Sequence, residues 1–192
     1  MKKIEKFLYK FNGGFMKLFN KFKKNNFEKK ELILDIDGPG IVFYSPKTVS
    51  YIKQDYDFLS NDFMNPQDIA KHVMKGDVTG FNTGSPGKYI IKIRFGYPTS
   101  ELLNKFDIVT RLGIIVKDNK INFVDLFWLS SWDTKVPDDQ IINIDNGRYY
   151  ITVLTKLPKS KRYGDNQTIY MYFEKTNHRF KLKYNGVPIL FK

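Results

Sequence analysis

The chain has 192 residues, a length that suits one domain with an appendage rather than two full domains. An apolar fraction of 42%, with 16% aromatics, is ample for a packed core and excludes a disordered chain. Cysteine is absent, which removes disulfide frameworks, thiolate zinc sites and cysteine nucleophiles. No uncharged apolar run reaches the roughly 18 residues of a membrane-spanning helix.

Lys+Arg 32 against Asp+Glu 20 gives a net charge of +12, which favours acidic partners. Only five of the basic residues are arginine, at positions 94, 111, 148, 162 and 179. Reading base edges favours the planar arginine fork, so a lysine-dominated charge fits diffuse attraction and no specific nucleic acid. The charge is also uneven, with ten lysines and three glutamates in residues 1–31.

In that first segment Ile4, Phe7, Phe11, Phe15, Leu18 and Phe22 recur at the three-and-four spacing of one helix face. Lys10 and Lys17 are among the lysines that fill the other side. The pattern predicts a basic amphipathic helix over 1–30, weakened by Gly13-Gly14 and too interrupted by lysine for a secretory signal. Three places suit its apolar face: the protein's own core, a partner protein, or an anionic membrane surface touched peripherally.

Residues 31–192 read as a single β-rich domain. Leu32 to Asp37 and Ile41 to Tyr44 flank the hairpin-like break Asp37-Gly38-Pro39-Gly40. Residues 46–60 suit helix or strand. Asn65-Pro66 has the form of an N-cap followed by proline, starting a helix through Met74 that stops at Gly76. Ser85-Pro86-Gly87-Lys88 suits a turn before a strand from Lys88 to Phe95, and Thr99 or Ser100 caps a helix to about Val109.

Strands follow over Leu112 to Val116 and Ile121 to Leu126, joined at Asp118-Asn119. Further strands are predicted at 140–144, 148–156, 167–174, 178–184 and 187–191. The expected class is α+β: predominantly antiparallel β, as a sandwich or partly open barrel, with a few short helices. A faint internal echo relates the segment from Gly87 to Ile93 to that from Gly147 to Val153, which suggests two similar β-units packed together.

Three features bear on catalytic chemistry. His72, on the expected short helix, has no carboxylate or second histidine at ligand spacing, and His178 follows Thr176-Asn177 in what reads as a hairpin turn; both read as ordinary histidines. Asp35 and Asp37 would share a strand face, but no third ligand follows them. The Gly84 to Lys88 segment lacks the spacing of a phosphate loop. The expectation is therefore no enzyme, no cofactor and no metal.

Two features suit partner binding instead. Lys156, Lys159, Lys161, Arg162 and Tyr163 form a cationic tip on a strand connection. In the Phe127 to Trp132 run, read as a strand, Trp128 would face away from Phe127 and Leu129 and is a candidate anchor.

From about Asn65 onward the chain resembles a family of small bacterial proteins found beside secreted polymorphic toxins. The residues carrying the likeness are Thr83, Gly84, Ser85, Gly87 and Tyr89, then Asn146-Gly147-Arg148-Tyr149, then the run from Leu182 to Pro188. The resemblance implies an immunity protein that binds and neutralises a cognate toxin or effector, expected in the cytoplasm; the positive net charge in turn predicts an acidic surface on that partner. It carries over no catalytic residue. The alternative expectation is a basic nucleic-acid or anionic-membrane binding module acting through residues 1–30.

Overall fold

The computed structural model describes residues 30–191, so the expected helix over 1–30 and its residues Phe7, Lys10, Phe11, Phe15 and Lys17 lie outside the described part. Nine strands form two sheets among the described residues. The five-stranded sheet contains β1 (Lys30–Ile36), β4 (Gly87–Phe95), β9 (Gln167–Thr176), β8 (Gly147–Thr155) and β5 (Ile108–Val116), in that order. The four-stranded sheet runs β3 (Val78–Asn82), β2 (Gly40–Tyr44), β6 (Lys120–Asp125) and β7 (Ile141–Asn143). Only the β4–β9 ladder is parallel. The α+β, mostly antiparallel sandwich is thus present.

Strict alternation explains the inner faces. In β1, Leu32, Leu34 and Ile36 are buried while Glu31, Ile33 and Asp35 are exposed, the period of two that one covered face demands. Ile91, Ile93, Ile114, Ile151, Val153, Met171 and Phe173 continue that face across the five-stranded sheet. Ile41, Phe43, Phe81, Ile121 and Phe123 oppose them from the other sheet, with Phe43 and Phe123 stacked at 5.3 Å.

A third layer covers the back of the four-stranded sheet. Val42, Tyr44, Val78 and Val124 face Val49, Ile52, Phe58, Phe63, Leu129 and Trp132 there. Residues 46–60 resolve into a turn of 3-10 helix at Pro46–Thr48 and the start of α1 (Phe58–Asp62). Helix α2 (Pro66–Lys75) has the expected ends: the Asn65 side chain accepts from the Asp68 amide, and Gly76 closes it in the left-handed conformation.

Several expected elements differ. The break at 37–40 is no hairpin, since β1 and β2 belong to different sheets. The Asp125 carboxylate accepts the Asp37 amide at 2.7 Å and the Gly38 amide at 2.9 Å, fixing a crossing between sheets. Asp118-Asn119 likewise joins strands of different sheets, with Asn119 at a φ of 57° and its amide donating to Asn146 Oδ1. The echoing strands β4 and β8 both flank β9 within one sheet rather than forming two packed units.

The helix α3 (Ser100–Leu103), capped by Thr99, ends after one turn because β5 takes the chain from Ile108 into its ladder with β8. Residues 178–184 and 187–191 form no strand. Phe180 packs on Gly113 and edge-on against Tyr150, and the tail's backbone pairs with β3 at Asn82, through its two bonds with Pro188 and Leu190. Pro188 has no amide hydrogen to extend that pairing.

A candidate interaction surface

The connection between β8 and β9 begins on a fixed base. Thr155 Oγ1 donates to the Thr168 carbonyl at 2.9 Å, and Gln167 Nε2 donates to Thr155 Oγ1 at 3.1 Å. The Gly164 amide donates to Gln167 Oε1, and its carbonyl accepts the Lys88 amide at 2.7 Å. A Cβ on Gly87 would strike the Gly164 carbonyl, and one on Gly164 would strike the Pro86 carbonyl. Both glycines also carry positive φ, of 131° and 78°. The two turns therefore lie against each other as only glycine allows.

From this base the loop projects its charge. Lys156, Lys159, Lys161 and Arg162 are exposed, and Tyr163 is half-buried edge-on against Phe191 at 6.1 Å. Hydrogen bonds from Ser160 and then Asn166, with the Arg162 charge nearby, hold the Asp165 carboxyl below its usual range. Lys156, Lys159 and Lys161 make no salt bridge among the described residues.

The loop continues onto the outer face of the five-stranded sheet. The Arg94 guanidinium sits 5.9 Å from the Tyr170 ring centre, and Phe106 meets Tyr170 edge-on at 5.4 Å. Arg111 lies 4.3 Å from the Tyr150 ring and 5.3 Å from the Tyr97 ring, and pairs with Glu174 at 2.7 Å. A cleft of about 550 Å³ opens where Phe106 and Tyr170 meet Lys156, Leu157, Pro158 and Lys159. The sequence reading missed this face. Its signal is the alternation Lys88, Ile90, Lys92, Arg94 in β4 beside Thr168, Tyr170, Tyr172, Glu174 in β9, each on the side opposite the core.

Trp128 lies elsewhere. Residues Leu126–Ser130 form a 3-10 helix rather than a strand, because Asp125 Oδ1 accepts the Phe127 amide at 3.0 Å and starts a turn. Trp128 packs half-buried into the layer behind the four-stranded sheet, its Nε1 donating to the Asp133 carbonyl, while Phe127 is exposed. Trp132 is buried at 4.8 Å from Tyr44.

His72 does have a carboxylate partner, contrary to the sequence reading. Its Nδ1 lies 2.9 Å from Asp77 Oδ1, and a carboxylate only accepts, so Nδ1 carries the proton. Lys75 Nζ reaches Asp77 Oδ2 at 2.6 Å, the Tyr51 hydroxyl donates to the same oxygen at 3.3 Å, and the Val78 amide donates to Oδ1. Burial pushes the Asp77 carboxyl up, but the His72 and Lys75 hydrogen bonds outweigh it and hold it below its usual range. Phe58 and Phe63 pack around the His72 ring. The cluster ties the end of α2 to the start of β3.

Asp35 and Asp37 are both exposed, and His178 is exposed after β9. Among the described residues no three His, Cys, Asp or Glu side chains gather as a metal site, and no helix is long and apolar enough to cross a membrane.

No protein-family model matches the sequence, and no curated protein matches it. Two solved structures are similar in fold. One, described as crocagin biosynthetic gene J, aligns over 76% of this chain and 96% of its own at 13% identity and TM-score 0.50. The other is ComJ from Bacillus subtilis, described as an inhibitor of the DNA-degrading activity of NucA; it aligns over 78% of this chain and 98% of its own at 16% identity and TM-score 0.49. At 13% identity the likeness to the first is one of fold alone.

Proposed function

We propose that the protein is an immunity-type inhibitor that silences a partner protein by stoichiometric binding rather than by turnover. The observation that carries this reading is the basic loop 156–163 held on a rigid base beside a cation-and-tyrosine sheet face. Three loop lysines without ion pairs among the described residues are charge held ready for another molecule. A rigid base lowers the entropy lost on docking, and the positive field speeds encounter with an acidic surface. The partner is accordingly a toxin or effector whose contact surface is acidic.

The test is capture from extract of the producing cell with the full chain, at low and at physiological salt, followed by the mass of the complex. One protein partner retained at physiological salt in a one-to-one complex supports the proposal. Recovery of nucleic acid or lipid alone, released by salt, overturns it. If that recovery is also lost on deleting residues 1–30, the basic binding-module reading takes its place.

A further inference from the structure

We infer that the cleft under the loop is an anchor pocket for a large apolar side chain of the partner, carried on a segment with acidic residues on both sides. This rests on the inhibitory reading above and names the partner chemistry. The floor is apolar: Tyr170 is held edge-on by Phe106, and Leu157 and Pro158 also line the space. A cleft of about 550 Å³ has room for a whole aromatic side chain and the backbone on either side of it.

The rim decides what flanks that anchor. Lys156 and Lys159 line the cleft, are exposed, and make no salt bridge among the described residues. Arg94 adds a cation beside the Tyr170 ring. Asp165 is the lining carboxylate, and Ser160 and Asn166 already donate to it inside the loop. The charge left facing an incoming chain is positive, so acidic flanks are favoured and basic ones repelled. An apolar anchor inside a charged rim is also how binding energy concentrates in protein interfaces. A nucleic-acid strand fits less well, because the cations that line the cleft are lysines, and Arg94 beside it already commits Nη1 to the Ile93 carbonyl at 2.7 Å instead of presenting a free fork to phosphate.

The test uses the isotope-labelled full chain and three probes: a capped Asp-Glu-Phe-Glu-Asp peptide, its Lys-Lys-Phe-Lys-Lys counterpart, and an oligothymidylate. The acidic peptide should shift the amides of Phe106, Tyr170 and residues 156–166, and the basic peptide should not. Phe106→Ala should weaken that binding about tenfold or more, the scale of a lost interface anchor. Lys156→Glu with Lys159→Glu, both at exposed positions, should abolish it with the fold intact. Equal binding of both peptides, shifts confined to other surfaces, or a response to the oligonucleotide alone would overturn the inference. If Phe106→Ala leaves capture of the natural partner unchanged, the pocket fails while the inhibitory reading stands. If the acidic peptide binds but no partner protein is captured, the pocket stands and that reading fails.

Discussion

Tyr89 and Tyr149 make the same bond in two different strands. Each sits two residues after a glycine of positive φ, Gly87 or Gly147, and points into the core. Each donates its hydroxyl to the carbonyl four residues earlier, Tyr89 to Ser85 at 2.7 Å and Tyr149 to Asp145 at 2.8 Å. The internal echo in the sequence is therefore a repeated device for starting a strand: the ring enters the sandwich while its hydroxyl pins the preceding turn. Since β4 and β8 flank β9, the two devices brace one sheet at opposite ends.

Tyr89→Phe and Tyr149→Phe should each lower stability by about 1 kcal/mol, since each removes one hydroxyl bond to a turn carbonyl while keeping the ring; the Ser85 carbonyl keeps the Thr83 hydroxyl as a donor at 3.0 Å. Denaturant unfolding of the single and double variants checks this. The two effects should add, because the turns they pin are separate.

Alkaline pH tests the same burial. Burial first, helped by the nearby Asp145 charge, pushes the Tyr149 phenol up to about 12. Tyr44 is also pushed up to about 12, again chiefly by burial. The folded state holds these protons more tightly than the unfolded chain, whose phenols ionise near 10. Their contribution to stability should be level below pH 10 and fall as pH rises from about 10 to 12. Phenolate absorbance should report these two rings ionising later than exposed tyrosines; ionisation in step with them would contradict the assignment.

Asp77→Asn tests the cluster at the end of α2. It should cost about 2 kcal/mol, because the amide cannot accept from His72, Lys75, Tyr51 and the Val78 amide as the carboxylate does. The folded carboxyl is held below its ordinary value of 3.8. Its contribution is thus complete above that pH and disappears as pH falls through the folded value. The variant should show a shallower loss of stability in acid than the wild type, measured by unfolding at graded pH.

Gly164→Ala should loosen the loop base without unfolding the sandwich. A Cβ there meets the Pro86 carbonyl, and the site has positive φ, so the Lys88–Gly164 bond must stretch. Hydrogen exchange at the Lys88 amide should accelerate while exchange in the β8–β9 ladder stays slow. Partner binding should weaken with it, as a mobile loop loses entropy on docking.

The strands were legible wherever one face alternates, and β4, β7, β8 and β9 fall close to their expected ranges. Strand partners were not. The turn chemistry at Gly38-Pro39 and Asp118-Asn119 is the same for a hairpin and for a crossing between sheets. What separates the two is the Asp125 carboxylate, 87 residues from Gly38. Similarly, Phe127 to Trp132 alternates like a strand, but Asp125 turns it into a helix. The His72–Asp77 pair depends on the chain reversing at Gly76, a tertiary fact. The charged tip at 156–163 was readable as a surface, because no apolar period claims it. The cleft beneath it was not, because Phe106 comes from a connection 50 residues away.

The central claim is that loop 156–163 makes the inhibitory contact. Once capture has supplied the partner, the decisive measurement is calorimetric titration of that partner with the full wild-type chain and with Lys156→Glu, Lys159→Glu and Lys161→Glu combined. Because all three positions are exposed and make no salt bridge among the described residues, the variant should unfold within about 0.5 kcal/mol of wild type. The wild type should bind one-to-one, and the variant at least tenfold more weakly. Unchanged affinity in a variant of unchanged stability would contradict it.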